Sequence, residues 1–248
     1  MKLLRPVSKV LLLFGFAVLL CGLATDAWAA GRCQGLPTEA QLKALLGSAP
    51  GAGGDAGGLF HGNRMWGAVV DRDGELCAIT TTTGDPTQVW PGSRHIAMHK
   101  AHTGNGFSLD TLALSTAQLY TFVQSGHSLF GLNTSNLFDT KCLGAPGSNK
   151  GINQICAGII TFGGGLGLYN SSGRIVGGIG ISGDTACTDH EIAKRVRDLA
   201  GLNPPGGPLV DDITYSSTDG PSVFTHPLCL NTWRNGVFVG NELPAAGY

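Results

Sequence analysis

Short apolar runs separated by turn residues predict two β-hairpins. The first combines apolar residues 65–70 and 76–80 across the turn Asp71-Arg72-Asp73-Gly74. The second lies within residues 163–182, where Asn170-Ser171-Ser172-Gly173 supplies the turn. Aspartate, asparagine and glycine favour such turns, and short connections join antiparallel strands. A further strand is predicted over residues 155–162, directly before the second hairpin.

Apolar residues at helical spacing predict the helices of the chain. They cover residues 38–47, 94–103 and 113–124, and a last segment that ends near residue 202. Thr38 and Gln41 form a capping box, Ser93 is the expected cap of the second helix, and Thr188 or Asp189 that of the last. Antiparallel strands with helices packed on them define an α+β domain.

Glycines are concentrated in the second hairpin, where they would weaken the strands unless something approaches the backbone closely. The expected neighbour is either another backbone or a flat ligand. Residues 178–183 also contain a formal G-x-G-x-x-G pattern. Dinucleotide binding requires a helix that opens inside this pattern, whereas here the glycines lie within the strand. The pattern therefore does not indicate a dinucleotide site.

The N-terminal segment is typical of a secretory signal peptide. Lys2, Arg5 and Lys9 precede an apolar run over residues 10–23, and Ala27-Trp28-Ala29 offers a cleavage site. The run is too short for a comfortable membrane span, so no stable membrane anchor is expected. We predict a periplasmic or secreted protein.

Three segments follow from these patterns: a signal peptide over 1–29, a domain over 30–202, and a Pro/Gly-rich extension over 203–248 packed on that domain. The formal net charge of −1 becomes more negative without the signal, which carries three basic residues and one acidic residue. Nucleic-acid binding usually requires a basic face, so no nucleic-acid partner is expected.

Cysteines also point to an oxidising compartment. Loss of the signal leaves six of the seven cysteines, namely Cys33, Cys77, Cys142, Cys156, Cys187 and Cys229. An even number in an exported chain favours disulfides. The best local pairing is Cys142 with Cys156, across a Gly/Pro/Asn-rich loop, and Cys229 is expected to tie down the extension.

Three histidines, His95, His99 and His102, form a stripe on the second predicted helix. Spacings of four and three residues place them within about 60 degrees of one another. Neutral imidazole is a ligand for haem iron and for transition metals, and His99 with His102 is the candidate metal pair. The alternative is a solvated helix face on which histidine is merely polar.

His190 lies near the start of the last helix and is a candidate pocket residue, because helix N-termini often border ligand sites. A zinc site would pair it with Cys187, in competition with a disulfide at that cysteine. His61, His127 and His226 lie in loops and are expected at the surface. No G-x-S-x-G or H-E-x-x-H signature occurs, so no catalytic group is assigned and any catalysis would depend on a bound cofactor.

Several motifs together resemble the GlcG/HbpS family, which also occurs as the C-terminal part of PduO-type proteins. The motifs are Val69-Val70-Asp71-Arg72-Asp73-Gly74, the segment from Ser93 through Lys100-Ala101 to Thr103, Gly163-Gly164-Gly165, Val176 to Gly183, and Asp189-His190-Glu191-Ile192-Ala193. They follow the family's order and span residues 36–202. Residues 113–117 and 128–132 resemble an exported branch of the family.

The resemblance implies a profilin-like fold with a five-stranded antiparallel sheet, assembly into homo-oligomers, and binding of haem or a related tetrapyrrole. Lys100 and Thr103 belong to the family-like Lys-Ala-x-Thr motif, in which Lys100 would neutralise a haem propionate or act as a surface cation. Axial ligands differ between members, and the first predicted helix of this chain contains no histidine.

The expected role is that of a carrier, scavenger or sensor, with a possible protein partner or a part in haem breakdown. The alternatives are an enzyme acting on a small metabolite in a glycine-lined pocket, and a non-catalytic structural subunit.

Overall fold

The structure is a computed structural model that describes residues 32–244. The chain divides into two units, residues 1–34 and 35–248. Of the first unit, residues 32–34 are described and belong to a turn. The predicted signal peptide, residues 1–29, lies outside the described residues.

The helices and strands of the described chain belong to the second unit. Its first part contains α1 (Glu39–Ser48), β1 (Trp66–Asp71), β2 (Leu76–Thr81), α2 (Ser93–Gly106), α3 (Leu132–Ser135), β3 (Gly165–Tyr169), β4 (Ile175–Ser182) and α4 (Ala186–Leu199). Its C-terminal part contains β5 (Thr214–Tyr215), α5 (Ser216–Asp219), β6 (Thr225–His226), β7 (Thr232–Arg234) and β8 (Val237–Gly240). None of the described helices is both long and apolar enough to traverse a bilayer.

Within the described residues, the main sheet has four strands in the order β2-β1-β4-β3. All neighbouring strands in it are antiparallel, and Ala68 of β1 lies opposite Ile79 of β2 and Gly180 of β4. Both predicted hairpins, β1–β2 and β3–β4, are confirmed. The α+β class is confirmed as well.

Successive residues of each strand face opposite sides of the sheet, and both sides are covered. Trp66, Ala68 and Val70 of β1 pack with α2. Val69 and the β4 residue Ile179 pack with α1 and α4 on the other side. The sheet therefore lies between α2 on one face and α1 and α4 on the other.

The glycines of β4 lie where α2 crosses the sheet. A Cβ added to Gly180 would lie 2.0 Å from the Ala97 carbonyl oxygen, and one added to Gly178 would lie 2.3 Å from that of Ala101. The close neighbour anticipated from the sequence is thus another backbone. The glycine-lined pocket that the enzyme alternative assumed is filled by α2.

The predicted fifth strand is wrong for the described chain. Residues 155–162 run as irregular chain, with an isolated bridge between Ile155 and Glu75. Ala157 and Gly158 have φ values of +56° and +85°, which a strand does not allow. The segment instead lies along α2, where the Ile160 N–H donates to Thr103 Oγ1 at 3.1 Å.

The predicted helix over residues 113–124 is also wrong. The structure has two short 3₁₀ turns there, Ala117–Leu119 and Thr121–Val123. The Thr116 N–H donates to the Gly165 carbonyl at 3.0 Å, and Thr116 Oγ1 accepts from the Gly165 N–H at 2.9 Å. These bonds hold the segment against the edge strand β3, so its backbone cannot continue as an α-helix.

The N-terminal caps of the helices agree only in part with those predicted from the sequence. The capping box between Thr38 and Gln41 is confirmed. However, α2 already includes Ser93 and follows Gly92 without a side-chain cap. The cap of α4 is Thr185, whose side chain accepts from the Thr188 N–H, so neither Thr188 nor Asp189 is the cap.

Disulfides connect distant parts of the second unit. The predicted Cys142–Cys156 bond is confirmed, and Cys187 is bonded to Cys229. Cys33 and Cys77 are in disulfide form as well.

The C-terminal segment, residues 203–244, is joined to α4 by that disulfide and by ion pairs. Arg197 contacts both carboxylate oxygens of Asp211, at 2.7 and 2.6 Å, and Lys194 lies 2.7 Å from Asp212. Both members of the Arg197–Asp211 pair are fully buried.

Candidate functional site

Helix α2 carries the histidine stripe on its partly buried side. His95, His99 and His102 are each half-buried, whereas Ala97 and Ala101 are fully buried against the sheet. The segment over residues 131–160, which includes α3, covers the histidines. The stripe therefore lies between α2 and this covering segment, and its rings are partly shielded from solvent.

His95 has polar partners. Its Nε2 accepts from the Gly144 N–H at 3.4 Å, lies 3.5 Å from Arg94 Nη1, and its ring contacts Phe138 edge-on. Burial, together with the charge of Arg94, lowers the pKa of His95. These contacts are typical of a histidine that holds a loop on a helix.

His99 is enclosed by apolar groups. Its ring centroid lies 4.4 Å from that of Phe138, and a Cβ added to Gly158 would come within 2.6 Å of the ring. Its Nε2 is buried without a hydrogen-bond partner. Burial lowers the pKa of His99 to about 4, so the imidazole is neutral at physiological pH.

His102 borders a cleft of about 340 Å³. Its Nδ1 is buried without a hydrogen-bond partner, and burial lowers its pKa. Residues that line the cleft include His102, Thr103, Phe107, Leu132, Asn136 and Ile159. The cleft is mainly apolar, and His102 supplies an imidazole at its wall.

Thr103 links the stripe to the covering segment. Its hydroxyl donates to the His99 carbonyl at 2.7 Å and accepts from the Ile160 N–H at 3.1 Å. The residue is buried and lines the cleft. Thr103 thus positions the cleft wall at the level of the histidines.

Lys100 is placed on the opposite side of α2, within the core. Its ammonium group lies 2.6 Å from Asp189 Oδ2, donates to the Ile181 carbonyl at 3.0 Å, and stacks over the Phe162 ring. The side chain is fully buried, which contradicts a surface cation. Its charge is already balanced by Asp189, so the contacts support a structural role.

Burial raises the pKa of Asp189 to about 6, and the charge of Lys100 acts in the opposite direction. Burial also lowers the pKa of Lys100, against the effect of Asp189. At neutral pH the Asp189 carboxyl group is ionised. The pair therefore joins α2 to α4 as buried opposite charges.

His190 is fully buried in α4 and faces the C-terminal segment. Its Nε2 lies 3.5 Å from Asp212 Oδ1, which is too poor a geometry for a hydrogen bond, and its Nδ1 has no partner. It is not among the residues that line the cleft beside the histidine stripe. The structure therefore brings together His95, His99, His102 and Thr103, but neither Lys100 nor His190.

Sequence reasoning missed two features of this region. Phe138 lies against both His95 and His99, although no spacing in the sequence relates it to α2. His226, expected at the surface, is only 2% exposed, and its Nε2 accepts a hydrogen bond from the Gly163 N–H at 3.3 Å. Its position depends on the C-terminal segment, which the sequence describes only as rich in proline and glycine.

A larger groove of about 610 Å³ lies between α1 and the C-terminal end of α4. Its lining includes Leu36, Pro37, Ala44, Leu45, Leu199 and Leu202. None of the described residues that line it is a histidine, cysteine, methionine or tyrosine. The groove offers apolar surface but no side chain suited to iron.

Fold and site together define a disulfide-bonded α+β protein with a stripe of half-buried histidines on α2, one of which, His102, lines a mainly apolar cleft. The chain belongs to the HbpS-like family, described as haem-degrading proteins, whose sequence profile matches residues 58–198. The family resemblance found in the sequence is thereby confirmed. No curated protein sequence shows significant similarity to this chain.

Solved structures that are similar to this chain include two crystal structures. The crystal structure of the Klebsiella pneumoniae protein ORFY, of family DUF336, is 22% identical, covers 66% of this chain and 88% of its own, and has a TM-score of 0.44. The crystal structure of a PduOC–haem complex is 20% identical, covers 66% of this chain and 94% of its own, and has a TM-score of 0.45.

Proposed function

We propose that this protein is an exported haem-binding protein that takes its iron ligand from the histidine stripe of α2. The observation that carries the proposal is the pair of unpartnered buried nitrogens, His99 Nε2 and His102 Nδ1. Buried polar atoms in native proteins are nearly always paired, because an unmade hydrogen bond costs about 1–3 kcal/mol. Where the unpartnered nitrogen carries the lone pair rather than the hydrogen, a bound metal would remove that cost.

The protonation state of the stripe supports this proposal. Only neutral imidazole has a lone pair for a metal, and burial lowers the pKa of both His99 and His102. Neither ring therefore has to lose a proton before it binds iron near neutral pH. The family's description as haem-degrading proteins names a matching cofactor.

In this proposal the cleft receives part of a porphyrin ring. Its volume of about 340 Å³ lies at the lower end of the roughly 300–1,000 Å³ typical of ligand sites. Leu137, next in the chain to the lining residue Asn136, is 78% exposed and adds apolar surface outside it. His102 is the better candidate axial ligand, because it lines this cleft directly.

Bound haem would supply redox-active iron, and the described residues would set its surroundings. His102 or His99 would ligate the iron. Phe138 and Ile159 would keep water from the ligating rings, and Thr103 would hold the wall of the cleft in place. In this proposal the protein acts as a carrier, scavenger or sensor, and haem breakdown would be a consequence of the bound iron. We also propose that the protein is located in the periplasm or outside the cell. There it would form homo-oligomers and could act with a protein partner.

The test is a haemin titration of the purified protein, followed by the Soret absorbance band. His102→Ala is expected to abolish the saturable, stoichiometric spectral shift, and His99→Ala to weaken it. His95→Ala should retain it, because His95 already has protein partners. His127→Ala, at an exposed loop histidine, is the matched control.

A second variant distinguishes the cleft from the groove between α1 and α4. Ala44→Trp would fill that groove without touching α2. If Ala44→Trp abolishes the spectral shift while both stripe variants retain it, haem binds in the groove and the assignment to α2 is wrong. Weak, non-saturating binding by the unmodified protein would refute haem binding as a whole.

A further inference from the structure

The C-terminal segment places a histidine against the disulfide that holds this segment to α4. The two Sγ atoms of Cys187 and Cys229 and one ring nitrogen of His226 all lie within 4.8 Å of one another. All three residues are buried, with exposures of 1%, 8% and 2%. Two sulfurs and one imidazole nitrogen form a ligand set that zinc commonly uses.

The tautomer of His226 suits metal binding. Its Nδ1 lies 2.7 Å from the Pro227 carbonyl oxygen, which can only accept, so Nδ1 carries the hydrogen. The lone pair is therefore on Nε2, whose protein partner is the more distant Gly163 N–H at 3.3 Å. Metal-binding histidines usually donate their other ring N–H to a carbonyl or carboxylate in this way.

The two sulfurs are placed where thiolates would be stabilised. Cys187 is the second residue of α4, and the start of a helix favours negative charge. The Cys187 N–H also donates to the Cys229 sulfur at 3.1 Å. Once separated, both sulfurs would thus be good ligands beside a neutral imidazole.

We propose that opening the Cys187–Cys229 disulfide creates a Cys₂His zinc site completed by His226. A dithiol reductant supplies two electrons and two protons, is itself oxidised to a disulfide, and leaves two thiols in the protein. Zinc then binds both sulfurs as thiolates and displaces their protons, with the fourth position taken by water. His226 thereby replaces His190, which the sequence had suggested as the zinc partner of Cys187.

The distances require only small movements. Zn–S bonds of about 2.3 Å and Zn–N bonds of about 2.0 Å place tetrahedral ligand atoms somewhat less than about 4 Å apart. The two sulfurs, which are bonded to each other in the disulfide, would each move by about an ångström to reach that spacing, and the imidazole nitrogen, within 4.8 Å of both, would approach by a similar distance. Zinc would then hold the C-terminal segment to α4 in place of the disulfide.

The experiment compares oxidised protein with protein reduced anaerobically by a phosphine, which competes little for zinc. Zinc is titrated against a chromophoric chelator, and circular dichroism confirms that the reduced chain stays folded. We expect one tightly bound zinc per reduced chain and none in the oxidised protein. His226→Asn should weaken binding by at least about 100-fold, the upper end of what losing an outer-shell partner of a metal ligand costs.

Two further measurements keep the test decisive. Cys142→Ser with Cys156→Ser removes another disulfide and should leave zinc binding unchanged, whereas Cys187→Ser should abolish it. Cobalt added to reduced, unmodified protein should give thiolate-to-cobalt charge-transfer bands, without any need for a variant. A cobalt spectrum without thiolate bands, or a Cys187→Ser variant that binds as much zinc as the unmodified reduced protein, would overturn the proposal.

Discussion

Substitution of Gly180 by alanine would separate α2 from the sheet. The added Cβ would lie 2.0 Å from the Ala97 carbonyl oxygen and 2.4 Å from the Ala101 nitrogen. Both neighbours are backbone atoms, so no side-chain rotation can relieve the contact. Because Cβ contacts below about 3 Å are essentially absent from proteins, α2 must move away from β4 by about an ångström.

The cost follows from the same geometry. Extra methyl groups in a packed core usually cost about 1–3 kcal/mol, and a clash with a helix backbone belongs at the upper end of that range. A loss of about 3 kcal/mol corresponds to a fall in Tm of roughly 6–12 °C for a chain of this size. The displaced helix would also carry the histidine stripe with it, so the proposed haem binding should weaken together with stability.

Gly47→Ala is the matched control. Gly47 lies in α1, and a Cβ there would meet nothing within 4 Å. Alanine is the better helix former by about 1 kcal/mol, so this variant should be as stable as the unmodified protein or slightly more stable. Both variants are compared by thermal and urea denaturation, followed by circular dichroism. Equal stability of Gly180→Ala and the unmodified protein would refute the direct packing of α2 on β4.

Three further predictions concern stability. Lys100→Met should cost about 3–5 kcal/mol in urea denaturation, because it leaves the Asp189 carboxylate buried and unpaired, and adding Asp189→Asn should recover much of the loss. Burial lowers the pKa of His226 to about 4, so the unfolded chain takes up the proton first. Through His226 alone, stability should fall by about 3 kcal/mol between pH 7 and pH 4, and His226→Gln should remove this contribution. Replacing both Cys142 and Cys156 by serine should cost about 3 kcal/mol in the same assay, because their disulfide closes a short loop.

Each of these predictions has an outcome that contradicts it. A double variant at Lys100 and Asp189 no more stable than Lys100→Met would show that the two charges are not coupled. An unchanged loss of stability on acidification in His226→Gln would assign the acid sensitivity to other groups. Unaltered stability without the Cys142–Cys156 bond would show that the covering segment is held by its other contacts alone.

Elements that depend on local pattern could be predicted from the sequence. Both hairpins combine apolar runs with turn residues, and the capping box between Thr38 and Gln41 is a local arrangement of side chains. The two elements that were predicted wrongly depend on contacts between residues that are far apart in the chain. Residues 113–124 have helical spacing but are held at the edge of β3, and residues 155–162 are apolar enough for a strand but lie along α2.

The histidine stripe was predictable for the same reason, since it depends only on spacing along one helix. What covers the stripe was not, because Phe138 reaches α2 through a segment without regular structure. Likewise, no local pattern relates Lys100 to Asp189, which are 89 residues apart. The family resemblance implied that the Lys100 charge could neutralise a haem propionate, but this charge is paired with Asp189 in the core.

The glycines of the second hairpin determine how closely α2 lies on the sheet, and the position of α2 determines where the histidine stripe lies. Because Gly178 and Gly180 have no side chains, α2 lies close to the sheet, and its residues Ala97 and Ala101 must be small as well. A helix held so closely against the sheet turns its opposite side toward the covering segment, and that side carries His99 and His102. The glycines then set the depth at which the imidazoles are buried, and burial keeps them neutral. Any change that lifts α2 should therefore raise the pKa of these histidines toward the ordinary value and weaken the proposed metal binding, even when no histidine is altered.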